Sequence, residues 1–408
     1  MIAPVRPLNI LFVTPFLPSP PEFGGQRRVH GLLKELARSH SVSLLSFVSP
    51  GRPHQESLRE TREYCRTVET VPNAAFALSQ RGKRALQLRS LASPNSFEWL
   101  SHRVPAMEAA LRHWTSRERF DVVNFEFMQM AQYRRAIEGG PACVLDEHNV
   151  EFEILRRTAG SEAGLVRRVY NAIDWRKLRA EEIAAWRAFD GCAVTSAQDQ
   201  GALLRELPQA RTAIVPNAVD LESFRPRAEA APPQAGSILF FGANNYFPNA
   251  DGLRFFVEEI FPLVRARVPS ARLKIVGHTP DHLLPLAGPH VEIRGYVPDL
   301  RSEIESASIA IAPLRVGGGT RLKILEAMAM AKPVVSTAIG AEGLDVSDGR
   351  DILLADAPAD FAGQVVRLLQ DAALARRLGE SARRLVEERY GWAASAARLE
   401  ELYRRSME

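Results

Sequence analysis

The stretch "PLRVGGGTRLKILEAMAMAKPVVS", residues 313–336, places three consecutive glycines, a threonine, an arginine and a lysine ahead of an apolar run that holds one carboxylate, Glu326. Glycines at a helix entrance let backbone N–H groups approach an anion closely, and the helix dipole adds to the attraction. Gly317, Gly318, Gly319, Thr320, Arg321 and Lys323 therefore read as a cradle for a diphosphate. The segment is not a GxxxxGK[ST] loop, because the Gly-Lys pair is absent, and kinase and ATPase readings drop out. An ion pair between Lys323 and Glu326 would be worth only ~0.2–0.5 kcal/mol on a helix surface. A carboxylate set among Ile324, Leu325, Ala327 and Met328 is better satisfied by accepting two sugar hydroxyls.

Outward from this segment, short apolar runs alternate with helical periods along the whole chain, the pattern of a doubly wound parallel sheet. Runs at 9–14, 42–47, 121–125, 142–146, 191–195 and 212–215 read as strands. The pattern restarts after the small-residue stretch "AEAAPPQAG" at 228–236, with strands expected at 237–242, 272–276, 291–294, 308–313, 333–336 and 351–354 and a helix over 251–267. Two Rossmann-like domains fit better than one large sheet. We expect an N-terminal acceptor-binding domain over 1–215, a C-terminal nucleotide-sugar-binding domain over 216–390, and a final helix, 391–408, packing back on the first.

Ligands of open parallel sheets sit at the carboxyl ends of the strands. Gly24 and Gly25 follow the first strand and open a helix. Glu126 ends the run 121–125, and His148 and Asn149 follow the run 142–146; a histidine there can donate, accept or stabilise charge near neutral pH. Capping and loop roles remain open for these residues. Gly242, Asn244 and Asn245 follow the strand at 237–242 and put small and amide groups where a ligand would approach.

The composition of the 408-residue chain, 46% hydrophobic and 25% charged, suits a globular enzyme. No apolar run is long enough to span a membrane, and Met1–Arg6 lacks a signal-peptide layout, so a cytoplasmic protein is expected. Cys65, Cys143 and Cys192 are scattered and no HExxH occurs, so neither disulfide nor metal is expected. The basic excess behind the net charge of +4 lies in the first half, where "RGKRALQLRSLA" at 81–92 would suit an anionic membrane surface or, equally, a solvated helix.

Together the "GG" at 24–25, "HN" at 148–149, "VPNAVDLESF" at 215–224, "GYVPDL" at 295–300, "LEAMAMAKPVV" at 325–335 and the final Trp392 segment resemble glycosyltransferase family 4, retaining enzymes of the GT-B fold with two facing Rossmann-like domains and a cleft between them. The resemblance implies sugar transfer from a nucleotide-sugar donor, UDP-sugars favoured over GDP-sugars, to a hydroxyl of a saccharide or lipid-linked acceptor. It implies a nucleotide-sugar co-substrate with no cofactor and no metal, and no nucleic-acid partner. By resemblance Glu326 binds the donor ribose, Tyr296 and Val297 border the base, Gly25 lies near the phosphates, and His148 lies near the transferred sugar and acceptor. Two departures stand out. Gly318 occupies the place of the family's first glutamate, and Asn244 and Asn245 stand where a basic pair is usual. A nucleotide-sugar epimerase and a non-catalytic sugar-nucleotide or glycan-binding protein are the competing readings; a dehydrogenase lacks its GxGxxG.

Overall fold

The computed structural model describes all residues except 1–5, 22, 52–53, 162–163, 228–231 and 317–320, and no side chain in 157–163. The chain divides into two compact units, one of Met1–Pro216 with Ser395–Glu408, the other of Asn217–Ala394.

The first unit is built on seven parallel strands, β1 (Asn9–Thr14), β2 (Ser41–Val48), β3 (Thr67–Pro72), β4 (Val122–Glu126), β5 (Ala142–Glu147), β6 (Gly191–Val194) and β7 (Thr212–Ile214). Their spatial order is β3-β2-β1-β4-β5-β6-β7. Every residue of β4, β5 and β6 is buried, as expected of a parallel sheet covered on both faces by helices. The edge strand β3 was not legible in the sequence; its alternating polar pattern TVETVP leaves most of it half-exposed or exposed. The final helix, Trp392–Ser406, is anchored on this unit by a bond from Ser395 Oγ to the carbonyl of Pro216, 2.9 Å, and from Arg404 to the carbonyl of Arg6, 3.2 Å.

The second unit holds β8 (Ser237–Phe241), β9 (Arg272–Val276), β10 (Val291–Gly295), β11 (Ile309–Ala312), β12 (Val334–Ser336) and β13 (Leu353–Leu354), again all parallel, in the order β10-β9-β8-β11-β12-β13. The expected helix over 251–267 is instead three pieces: Phe247–Phe255, one π-helical turn Phe256–Ile260, and Phe261–Arg267. Pro248 sets the earlier start, and Pro262, lacking an N–H, displaces the hydrogen-bond ladder by one residue ahead of the third piece.

In both sheets the strand order reverses once, between β1 and β4 in the first unit and between β8 and β11 in the second. Such switch points are where loops diverge to opposite faces and open a crevice at the carboxyl edge. Gly24, Gly25 and Glu126 belong to the first reversal; Gly242, Asn244, Arg321 and Lys323 belong to the second.

Candidate active site

In the first unit the chain leaves β1 through residues 15–23 and enters the helix Gly24–Leu36, whose N-terminus has no side-chain cap and no acid in its first turn. One turn on, Arg28 is fully buried and forks onto Asp146 at the end of β5, Nη2 to Oδ1 at 2.7 Å and Nε to Oδ2 at 3.1 Å, while Nη1 donates to the carbonyl of Val215 at 2.8 Å. This ties the helix entrance to the carboxyl edge of the sheet. A bidentate guanidinium with a further donor on a backbone carbonyl is the geometry in which a buried ion pair recovers its desolvation cost.

Beside it, His148 Nε2 lies 2.7 Å from Glu126 Oε2, and the other oxygen of Glu126 accepts from Asn124 at 2.8 Å. Burial pushes the Glu126 carboxyl up to about 8, against the pull of the Arg28 charge. Burial likewise pulls the His148 imidazole down to about 3. At neutral pH the pair is therefore uncharged, with the carboxyl donating to Nε2 and the imidazole proton on Nδ1. Among the described residues Nδ1 has no protein partner, so this edge of the ring remains for a ligand.

Glu126 itself is sealed inside the sheet edge with both oxygens used, by His148 and Asn124, so the expectation that it meets an acceptor directly is corrected. Asn149 is half-buried and spans 3.4 Å to Glu151 Oε1 at the start of the helix Glu151–Ser161. Glu126, Asp146 and His148 bring ligand-type atoms within 4.8 Å of one another. A cation there would have to displace the Arg28 guanidinium from Asp146, so the set fits a hydrogen-bonded network.

In the second unit Gly242 follows β8 at φ +145°, and a Cβ there would lie 3.0 Å from Lys323 Nζ. Lys323 reaches this point from the helix Leu322–Ala329, with Nζ 2.7 Å from Asn249 Oδ1 and 4.3 Å from the Phe240 ring centre. Partial burial and the neighbouring Arg321 charge pull its ammonium down to about 7. Among the described residues no carboxylate lies within ion-pair distance of Nζ. The lysine thus brings a cation from β11's helix to the end of β8, where the asparagines stand in sequence. Glu326, one turn further, is buried.

Asn244 does not face outward as expected: it is fully buried, its Nδ2 donating to Thr279 Oγ1 at 2.9 Å. A close backbone approach explains this. The loop after β9 runs so near that a Cβ on Gly277 would meet the Gly242 carbonyl at 1.9 Å, and the amide of Asn244 bridges the two loops. Asn245 and Tyr296 are exposed, Tyr296 at 81%, while Val297 packs partly against the core under β8 and β11. Gly317, Gly318, Gly319 and Thr320 lie outside the described residues.

Four participants escaped the sequence reading: Arg28, Asp146 in its role as Arg28's partner, Asn249 and Phe127. The acid beside His148 was a visible signal for Asp146. Arg28 sat in an ordinary "QRRVH" helix with nothing to mark it.

Two parallel-sheet units of this order are the architecture of the GT-B fold. Residues 24–223 match the model described as Glycosyltransferase Family 4, and residues 235–371 match that described as Glycosyl transferases group 1. The chain belongs to this glycosyltransferase family. A D-inositol 3-phosphate glycosyltransferase of Catenulispora acidiphila is 31% identical over 227 residues, covering 48% of this chain and 51% of that protein. The chain spans about half the length of the curated relatives it matches. Among solved structures, a sucrose-phosphate synthase from Thermosynechococcus elongatus superposes with a TM-score of 0.70 at 19% identity, covering 97% of this chain and 98% of that one. Anabaena HepE, solved with UDP and glucose, gives a TM-score of 0.66 at 14% identity with coverage of 97% and 98%.

Proposed function

We propose that the protein moves a sugar from a nucleotide-sugar donor, a UDP-sugar in preference to a GDP-sugar, to a hydroxyl of a saccharide or lipid-linked acceptor, with retention at the anomeric carbon. The observation that carries this reading is Lys323, an ammonium held at the end of β8 by an amide and an aromatic face, with no carboxylate at ion-pair distance among the described residues. A departing nucleoside diphosphate needs preorganised positive charge, and Lys323 with Arg321 supplies it. An ammonium held near 7 takes up its full charge when a dianionic group arrives, which links donor binding to protonation. Glu326 takes the ribose hydroxyls, and the Nδ1 edge of His148 meets the transferred sugar or the acceptor. No covalent nucleophile is assigned: the leaving phosphate accepts the acceptor's proton on the same face of the sugar. The two cations take the neutralising role, so no metal is required.

The relatives lend support of a coarser kind: HepE was solved with UDP and with UDP-glucose. The deciding test is a panel of nucleotide sugars read by thermal stabilisation, with Lys323→Met in parallel. A donor at 100 times its Kd adds ~2.7 kcal/mol to the wild type. The variant is expected to lose this shift and ~10²–10³-fold in kcat/KM. Undiminished stabilisation by UDP in Lys323→Met would remove the lysine from the phosphate site.

A membrane-bound acceptor is favoured by one surface of the first unit. A groove of about 1470 Å³ lies between the helices Gln80–Leu91 and Leu165–Ala188, and Leu88, Leu165 and Val166 line it with 68, 75 and 84% of their surface exposed. Lys83 and Arg84 stand on its rim. Apolar side chains ringed by cations suit a bilayer with anionic headgroups. Co-sedimentation with phosphatidylglycerol vesicles, lost in Leu165→Ser/Val166→Ser, is the expected result; equal binding to neutral and anionic vesicles would count against it. No described helix is long and apolar enough to cross a membrane.

A further inference from the structure

Phe127, the residue after β4, has φ 67° and ψ 148°. Side-chain-bearing residues hardly occupy this region; it is glycine territory, and such a backbone persists where the surroundings over-determine it. The surroundings do so here. The Phe127 N–H donates to the Asp146 carbonyl at 3.0 Å, prolonging the β4–β5 pairing, and its own carbonyl accepts from Met130 at 3.0 Å to start the 3-10 helix Met128–Ala136.

The result is where the ring goes. It stacks on the His148 imidazole with centroids 3.6 Å apart and planes 23° from parallel. Phe16 meets its edge at 5.4 Å. On the helix entrance, a Cβ at Gly25 would come within 2.7 Å of Phe127 Cζ, so the ring fits only because residue 25 has no side chain. Gly25, Glu126 and His148 therefore meet at one residue. Glu126 fixes the imidazole in its plane through Nε2, and Phe127 covers one of its faces.

We propose that Phe127 is the positioning residue for His148: its backbone throws the ring across the imidazole, locking the ring so that the Nδ1 edge is what a ligand meets. The functional meaning of the lock rests on His148 facing the sugar or acceptor, as proposed above. The lock itself does not. Among the described residues the charged and titratable groups acting on His148 are Glu126 from β4, Asp146 from β5 and Arg28 from the helix Gly24–Leu36, and Tyr403 of the final helix acts on those three. The printed bonds that hold Glu126, Asp146 and Arg28 do not use the Phe127 side chain, so a change at His148 in such a variant is read as the effect of the ring.

Phe127→Gly removes the ring and suits the backbone; Phe127→Ala removes the ring and keeps the mismatch; Phe127→Leu keeps apolar volume without a flat face; Phe127→Tyr restores the face. The readout is the imidazole ¹⁵N spectrum of the full chain, with His148 assigned by its loss in His148→Asn. In the wild type and Phe127→Tyr a single neutral tautomer is expected, unchanged from pH 5 to 6.5, below the range in which Glu126 gives up its proton. In Phe127→Gly and Phe127→Leu the ring should titrate between pH 5 and 6.5 or show both tautomers. Phe127→Gly should also melt above Phe127→Ala. A His148 signal in Phe127→Leu identical to wild type, or one that Phe127→Tyr fails to restore, overturns the proposal. Full turnover by His148→Ala would instead sink the functional reading and leave the lock standing.

Discussion

The two switch points solve opposite electrostatic problems. In the first unit every charge near the site has an internal partner: Arg28 forks onto Asp146, and Glu126 shares a proton with His148. In the second, Lys323 leans on an amide oxygen and a phenyl face, and among the described residues no carboxylate lies within ion-pair distance of it, Glu326 acting on it only from further off. The charges of the first region are matched within the protein, whereas those of the second, on the function proposed above, are matched by the donor. A charge satisfied internally contributes to the fold, and one left short contributes to binding.

The most severe way to break this contrast is Arg28→Met. It strands Asp146 in the sheet edge, and removing one partner of a buried pair costs ~3–5 kcal/mol. Chemical denaturation followed by tryptophan fluorescence reads this, since Trp99, Trp114, Trp175 and Trp186 all lie in the first unit. A loss under ~1 kcal/mol would mean that the pair does not tie the helix to the sheet.

A gentler perturbation is pH. Burial raises Glu126 and Glu147 to about 8 and Glu151 to about 7, so the folded first unit holds protons that the unfolded chain has released. Stability must then fall as pH rises through the window from about 4.5 to about 8. Above 6.5 the lowered His148 no longer adds an opposing change, because its imidazole is neutral in both states. Lys323 has the other sign. Its ammonium is depressed to about 7, so the unfolded state holds the extra proton between 7 and 10.5, and the second unit gains stability as pH rises there. Each titrating group changes stability by at most ~1.4 kcal/mol per pH unit. Hydrogen exchange from pH 6.5 to 8 should show β4 and β5 losing protection while β8 holds or gains it. Parallel changes in both sheets would dissolve the distinction.

The smallest expected effect is the most discriminating. Lys323→Met removes a partly desolvated cation without an ion pair to break, so stability without ligand should stay within ~0.5 kcal/mol of wild type. The same substitution abolishes stabilisation by donor. Silence in one measurement and loss in the other is what the ligand-completed region requires.

The fold was legible because parallel strands buried on both faces announce themselves as short apolar runs, and strand ends then locate His148, Glu126, Gly25 and Lys323. What escaped reading was partnership across long separations. Arg28 and Asp146 are 118 positions apart, and Lys323 and Asn249 are 74 apart. Asn244 was misplaced for a related reason: an amide after a strand looks available until the loop bearing Gly277 is known to close over it. Phe127 left no signal at all, since phenylalanine carries no preference for a positive φ and only the packed surroundings impose one.

Residue 404 touches residue 6, and Ser395–Glu408 belongs with the segment that ends at Pro216. The second unit is therefore a cassette inserted into the first, entered at 216–217 and left at 394–395. A recombination that exchanges the second unit between such proteins must cut twice, and a single crossover at 216 would pair one parent's sheet with another parent's closing helix. The contacts of Ser395 with Pro216, of Arg404 with Arg6 and of Glu400 with His40 tie the closing helix to its own unit, and chimaeras that keep residues 395–408 with residues 1–216 are the ones expected to fold.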